Sequence, residues 1–234
     1  MQYFDSHCHL PDNLSFTEAF MHARDSGVIG VVLNSVVMDD WNKIIQIANT
    51  NKNVCGAIGI HPWYIDSVNA NWDSEMLALL RDNPHLIIGE IGLDKTRNNL
   101  EKQIPVFVRA LEIAIKCGRT VNLHCVHAWD EIIKILRQYR SDLPQIVVHS
   151  FDGNENAMNC NLDLFFSYSP NVVNNRFKRV ASSVARVPRD RILVESDSCN
   201  FSDVITATNG VLERRDDISA NDIFNNSIKV FFNG

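Results

Sequence analysis

The feature that most constrains the fold is a repeated unit, in which a short segment of strand character is followed by a longer segment of helical period. Eight segments have the strand pattern: Gln2–His7, Val28–Leu33, Val54–Ile60, Leu86–Ile91, Thr120–His124, Gln145–His149, Leu162–Tyr168 and Arg191–Glu195. Shared among eight units, the 234 residues allow about 29 residues per unit, which suits one strand, one helix and their turns. Segment Val28–Leu33 is almost continuously apolar, as strands covered on both faces are. The repeat therefore predicts an α/β protein, a closed (β/α)8 TIM barrel.

The segments between the predicted strands have the apolar spacing of amphipathic helices. One set falls at positions i, i+3, i+4 and i+7 and consists of Trp41, Ile44, Ile45 and Ala48. A second stripe, over residues 100–115, ends before Gly118, a residue typical of helix C-termini. Pro105 lies inside this stripe and predicts a late helix start or a kink. Ser219 and Asp222 have the spacing of a capping box for a final helix.

No tract rich in Gly, Ser or Pro and no block of charge divides the chain, so residues 1–234 are predicted to form a single domain. An open doubly wound sheet is the alternative architecture. It would be supported by a glycine-rich phosphate-binding turn after the first strand, and the sequence has none there. The sixth unit is the weakest, because residues 152–161 are few and polar.

The composition argues against several classes of protein. Although 45% of the residues are hydrophobic, no run of roughly 18 apolar residues occurs, so no membrane span is predicted. Residues Met1–Asp5 lack the basic and apolar stretches of a signal peptide. Six scattered cysteines without a CxxC pattern favour reduced thiols and a cytoplasmic location. A net charge of −6 opposes a broad basic face for nucleic acid, but it allows a local grip on a few phosphates.

Histidines and carboxylates collect at the C-terminal ends of the predicted strands, where a barrel of this kind has its active site. The histidines at these ends are His7, His9, His61, His124, His127 and His149. Glu90 lies at the end of the fourth strand and Asp197 follows the eighth. Any one of these could be a structural residue, but together they would be costly to bury without compensation. A divalent metal is the simplest compensation.

Strand alternation places Asp5, His7 and His9 on one face, toward the barrel mouth, and Cys8 on the opposite face. The candidate metal ligands are His7, His9, Glu90, His124, His149 and Asp197. This set exceeds the three or four ligands of a mononuclear zinc site, and a carboxylate such as Glu90 can bridge two ions about 3.5–4 Å apart. The set predicts two divalent ions and hydrolysis by a metal-activated water, with Glu90 and Asp197 as the catalytic carboxylates. Asp197 is the predicted proton acceptor.

Six short motifs have a recognisable order and spacing: Asp5–Leu10, Gly59–Pro62, Gly89–Asp94, Leu123–Cys125, His149–Gly153 and Glu195–Asp197. They resemble the signatures of the TatD family of metal-dependent hydrolases, which is similar to the amidohydrolase barrels and is associated with DNase activity. The resemblance implies that one ion is held by His7, His9 and Asp197. It implies a second ion on His124 and His149, with Glu90 as the bridge. His61 would line the pocket without binding metal.

The chain also departs from the family pattern at several positions. Lys95 stands where an aromatic residue is usual, and Val126 where the family has an arginine. Ser198 replaces an expected proline, and the loop that usually follows it is missing. Loss of the arginine removes a bidentate grip on phosphate. We expect Lys95, Arg97 or His127 to supply the charge instead, as substrate-binding residues.

Together the motifs favour a binuclear phosphodiesterase that acts on DNA or a small phosphodiester. Two alternatives stay open: a metal-dependent hydrolase of a small amide, lactone or ester, and a metal-binding scaffold without catalysis. Four imidazoles suit zinc, manganese or iron better than magnesium, whereas the family's nuclease activity suggests magnesium or manganese. No motif indicates an obligate protein partner.

Overall fold

The computed structural model describes residues 1–232, and within them eight strands form one sheet in sequence order, each parallel to the next. The strands are β1 Tyr3–Cys8, β2 Val28–Asn34, β3 Val54–Ile58, β4 Ile87–Asp94, β5 Val121–Val126, β6 Ile146–Val148, β7 Leu164–Tyr168 and β8 Ile192–Val194. The helices are α1 Phe16–Asp25, α2 Trp41–Thr50, α3 Trp72–Asp82, α4 Leu100–Cys117, α5 Trp129–Gln138, α6 Glu155–Met158, α7 Lys178–Ser183, α8 Asp203–Leu212 and α9 Ala220–Phe231. All eight predicted strands are present.

Backbone hydrogen bonds just beyond β8 bring the last strand back to the first. The Asp197 N–H donates to the His7 carbonyl at 3.0 Å, and the His9 N–H donates to the Ser198 carbonyl at 3.1 Å. The sheet is thus a nearly closed barrel with helices on its outer side, and the predicted (β/α)8 fold is confirmed. Within residues 1–232, no helix combines the length and the apolar character that a membrane crossing needs.

Side chains fill the barrel interior in layers, and the histidines and carboxylates lie in the top layer, at the C-terminal ends of the strands. The lowest layer is apolar and comprises Phe4, Val32, Cys55, Ala57, Ile87, Val147, Phe165 and Leu193. Phe231 of α9 covers this layer from below and stacks on Phe4, with 5.7 Å between ring centroids. Above it, Ser6 bonds to Ser167 at 2.6 Å and Asn122 donates to the Asn34 side chain at 3.2 Å. The histidines and carboxylates lie above this polar layer.

The expected alternation along the first strand fails at Asp5. Phe4 and Ser6 contact the barrel interior, and the pairing of β1 with β2 is irregular between Asp5 and Cys8. Asp5 instead turns toward the neighbouring strand, where it accepts a hydrogen bond from the Ser196 N–H at 2.9 Å. Cys8 does face the helices, as predicted, and His7 regains the mouth because the irregularity shifts the alternation.

The predicted helix ends are confirmed, but the effect of the internal proline is not. Gly118 ends α4 with φ 62°, and Ser219 and Asp222 form a capping box. The expected late start of α4 is wrong, because α4 begins at Leu100. Its first turn forms ahead of Pro105, whose nitrogen has no hydrogen to donate to the Glu101 carbonyl.

Candidate metal centre

All six predicted ligands meet at the upper end of the barrel, and Glu90 lies at their centre. Its Oε1 is 2.6 Å from His124 Nδ1 and 2.7 Å from His149 Nε2. Its Oε2 is 3.4 Å from His7 Nε2 and 3.8 Å from His9 Nε2. The two oxygens of one buried carboxylate therefore face two different pairs of imidazoles, which is the geometry that a bridging ligand requires.

Asp197 completes the group on the side of the first strand. Its Oδ1 is 3.8 Å from His9 Nε2 and 3.9 Å from His149 Nδ1. Asp197 has φ 49°, and two other residues just past strand ends, His127 and Ser150, also have positive φ. Non-glycine residues rarely adopt this conformation, and such positions cluster at functional sites.

Two glycines of the motifs allow the strands that carry the ligands to approach closely. A β-carbon at Gly59 would lie 2.5 Å from the carbonyl carbon of Gly89 and 2.7 Å from the Glu90 nitrogen. A β-carbon at Gly92 would lie 1.9 Å from the His124 carbonyl oxygen. A side chain at either position would push apart the strands that bring Glu90 and His124 together.

Charge around the cluster keeps its carboxylates ionised. Burial alone would raise the pKa of Glu90, but the neighbouring His149 and His7 hold this pKa well below its ordinary value. For Asp197, a hydrogen bond with His9 and the charges of His149 and His7 outweigh burial and lower the pKa to about 2. Both carboxylates are therefore charged at neutral pH and can serve as ligands or as a base.

Two further carboxylates lie behind the imidazoles, and one of them, Asp94, is close enough to orient its imidazole. Asp94 Oδ2 is 3.4 Å from His124 Nε2, the nitrogen that points away from Glu90. Glu195 Oε1 is 3.6 Å from His149 Nδ1, beyond hydrogen-bond distance, and accepts the Ser150 backbone N–H instead. Imidazoles that bind metal usually donate their second N–H to such a carboxylate, which fixes the tautomer. Asp94 and Glu195 both lie in the strand-end motifs, but no role was predicted for either of them.

The donor set fits cations better than it fits an internal hydrogen-bond network. His124 Nδ1 and His149 Nε2 are 3.0 Å apart, and His7 Nε2 and His9 Nε2 are 3.3 Å apart. Without a cation, one nitrogen of each pair must carry a proton and donate it to the other, whereas a cation between them engages both lone pairs. Among residues 1–232, four triplets have ligand atoms within 4.8 Å of one another: His7–His9–Asp197, His7–Glu90–His149, His61–Glu90–His124 and His149–Glu195–Asp197.

His61 belongs to one of these triplets, but its hydrogen bonding favours another role. Its Nδ1 accepts the Trp63 backbone N–H at 3.1 Å, so the neutral ring carries its proton on Nε2. Burial lowers the pKa of His61 to about 3, which keeps the ring neutral. The Nε2–H group lies 3.4 Å from Glu90 Oε1 and can donate a hydrogen bond into the centre. This arrangement agrees with the pocket-lining role expected for His61.

Comparison with known proteins identifies the family. A family model described as TatD related DNase matches residues 4–209. The chain belongs to this TatD family. A 3′–5′ single-stranded DNA/RNA exonuclease TatD from Edwardsiella piscicida is 28% identical over 182 residues, covering 75% of this chain and 70% of the relative. The predicted enzyme class, a metal-dependent hydrolase of the DNase type, is confirmed.

Two further similarities extend the match. An uncharacterized metal-dependent hydrolase from Buchnera aphidicola is 29% identical over 211 residues, covering 86% of this chain and 79% of the relative. The crystal structure of a TatD homologue from Escherichia coli K12 superimposes with a TM-score of 0.90 over 98% of this chain and 97% of that one, at 20% identity. The crystal structure supports the same barrel fold.

In this TatD chain, only one of the three predicted substrate-binding cations lines the cleft beside the metal centre. Lys95 forms an ion pair with Glu131 at 2.8 Å. The Arg97 guanidinium lies over the Trp63 ring, 4.3 Å from its centroid. His127 does line the cleft.

The cleft itself has a volume of about 570 Å³ and opens onto His124, His149 and Asp197. Its outer wall contains Arg176, Phe177, Lys178 and Arg179, from the loop after β7 and the start of α7. The sequence reasoning missed these residues, although a run of three cations around an aromatic residue was a usable signal. A larger cavity of about 670 Å³ lies at the opposite end of the barrel and touches none of the six candidate ligands.

Proposed function

We propose that this protein is a phosphodiesterase that uses two divalent ions to cleave single-stranded nucleic acid, DNA in the first place. The observation that carries the proposal is the central position of Glu90, whose two oxygens face the pair His7–His9 and the pair His124–His149. The activity named for the Edwardsiella relative supports a single-stranded substrate and removal of nucleotides from the 3′ end.

Each residue of the centre has a proposed role. His7, His9 and Asp197 would hold one ion, His124 and His149 the second, and Glu90 both. When bound, such ions supply Lewis acidity and lower the pKa of water. Asp197 is ionised at neutral pH and would accept a proton from the attacking water.

His61 would have a different task, because its Nε2–H points into the centre, 3.4 Å from Glu90 Oε1, and can donate there. The phosphodiester carries negative charge on its oxygens, and a donor fixed by the Trp63 N–H can bond to one of them. The Nε2–H donor is preorganised, because the ring is almost fully buried and its Nδ1 already accepts the Trp63 N–H.

The setting of the enzyme is part of the proposal. Residues 1–234 would act as one domain without an obligate protein partner. All six cysteines are free thiols, with none paired in a disulfide, which supports a cytoplasmic location.

The test is cleavage of a 5′-labelled single-stranded oligonucleotide by protein of measured metal content, with zinc, manganese and magnesium supplied in turn. We expect products that shorten from the 3′ end, loss of activity with chelator, and a loss on the order of 10²-fold or more in Glu90→Gln. Elemental analysis of protein purified without added metal should give two ions per chain. Turnover of an amide or lactone panel, with no cleavage of the oligonucleotide, would contradict the proposal.

A further inference from the structure

The two walls of the cleft beside the metal centre are joined by hydrogen bonds and an ion pair. On one side lie residues of the turn after β5, among them His127, and on the other lies the loop that leads into α7. Arg179 joins this loop to the turn after β6, because its Nε–H donates to the Asp152 carbonyl at 2.9 Å and its guanidinium pairs with the Asp152 carboxylate. Gly153 lies so close that a β-carbon there would be 2.4 Å from the Arg179 carbonyl oxygen.

The charge of Arg179 is therefore neutralised within the protein, but two neighbouring cations are not. Arg176 and Lys178 are exposed, and neither forms an ion pair with any residue from 1 to 232. Phe177, between them in the chain, is 43% exposed, although it is a large apolar side chain. The chain has a net charge of −6, but this part of the cleft wall combines two cations without ion pairs and an exposed aromatic ring.

These are the features that bind single-stranded nucleic acid, in which aromatic rings stack on bases and nearby cations contact phosphates. The cleft volume of about 570 Å³ lies within the usual range for sites that enclose a ligand. His124, His149 and Asp197 also line the cleft, so a nucleotide bound there would place a phosphate next to the metal centre.

We propose that this cleft binds the nucleotide next to the cleaved phosphodiester, with Phe177 stacked on the base and Arg176 and Lys178 on the adjoining phosphates. The inference rests on the proposed function and specifies how that site recognises a nucleic-acid strand. A small ester would leave the exposed ring and both cations without a partner. Recognition through stacking and phosphate contacts also predicts little preference for base sequence.

Equilibrium binding tests the inference without turnover. Fluorescence anisotropy of a labelled single-stranded DNA is measured in the presence of chelator, for the wild type, Phe177→Ala and Phe177→Trp. Loss of one stacking contact should weaken binding roughly 5- to 100-fold in Phe177→Ala, whereas Phe177→Trp should bind about as well as the wild type. The control Met21→Ala removes an exposed apolar side chain on α1, outside the cleft, and should change nothing.

Salt dependence tests the two cations. The double variant Arg176→Gln/Lys178→Gln should flatten the plot of log binding constant against log salt by about 0.7 for each lost phosphate contact. The control Lys116→Gln, at the end of α4, removes an exposed cation elsewhere and should leave the slope unchanged.

The outcomes separate this inference from the proposed function. If the wild type binds the oligonucleotide but cleaves no phosphodiester, the proposed function fails and the binding comparison still stands. If Phe177→Ala binds within twofold of wild type, or if the double variant keeps the wild-type salt slope, the assignment of the cleft is overturned.

Discussion

Replacing Asp94 by asparagine should weaken metal binding, although Asp94 is not itself one of the proposed ligands. Asp94 Oδ1 accepts two hydrogen bonds from Thr96, from the backbone N–H at 2.7 Å and from the hydroxyl at 2.5 Å. Its Oδ2 accepts the Trp63 indole N–H at 2.6 Å and faces His124 Nε2 at 3.4 Å. Both oxygens therefore act as acceptors, and asparagine can supply only one.

The amide oxygen of the variant should take the Oδ1 position, where it accepts both hydrogen bonds from Thr96. The amide nitrogen then takes the Oδ2 position. Its N–H groups face the Trp63 N–H and the His124 Nε2–H, which are also donors, so no hydrogen bond can form. His124 relieves this conflict by moving its proton to Nδ1, the nitrogen that lies 2.6 Å from Glu90 and would bind the ion. Loss of such an orienting carboxylate typically lowers metal affinity about 10- to 100-fold, or about 1.4–2.7 kcal/mol.

Isothermal titration of metal-free protein with zinc or manganese measures this effect directly. Thr96→Val is the matched control, because it removes the hydroxyl bond to Oδ1 and keeps the carboxylate toward His124. We expect a change of less than about threefold in the control. If Asp94→Asn binds metal with wild-type affinity while its fold is intact by circular dichroism, the orienting role of Asp94 is refuted.

Three predictions concern the stability of the barrel, and urea unfolding measures each. Ser219→Ala removes the cap of α9 and should cost about 1 kcal/mol, and an unchanged midpoint would show that the cap contributes nothing. Gly92→Ala places a β-carbon against the His124 carbonyl and should cost at least about 3 kcal/mol, so wild-type stability would contradict the close strand approach. Phe231→Ala opens the base of the barrel and should cost about 3–5 kcal/mol; a loss below about 1 kcal/mol would contradict its position in the core.

The convergence of the six ligands could be predicted because it depends on topology alone. Parallel strands in sequence order bring their C-terminal ends to one mouth, so strand-end residues such as His7, Glu90 and Asp197 must approach one another wherever the exact strand limits lie. Strand limits were less accurate: β4 continues to Asp94 because its pairing with β5 continues to Val126. This difference in strand length does not affect the predicted centre, because Glu90 stays at the mouth of the barrel when β4 is longer.

Details that depend on single hydrogen bonds or on loops could not be predicted in the same way. The irregular pairing of β1 removes Asp5 from the mouth, and no periodicity in the sequence signals it. The partners of Lys95 and Arg97 come from other units of the barrel, Glu131 and Trp63 respectively, so their charges were assigned to the substrate without knowledge of these contacts. Loops lack the periodicity that identifies strands and helices, which is why the cations after β7 were missed.

The position of Arg176 and Lys178 also explains how a protein with a negative net charge can bind nucleic acid. Electrostatic attraction between exposed charges is largely screened beyond about 8–10 Å at physiological salt, so the net charge of −6 has little effect on a phosphate held inside a cleft. What the phosphate experiences is the nearby pair, Arg176 and Lys178, together with the metal centre. An acidic surface slows nonspecific encounter with nucleic acid, and it leaves the local contacts to select a strand that can enter the cleft. A duplex cannot present its stacked bases to Phe177, so the same geometry favours a single strand.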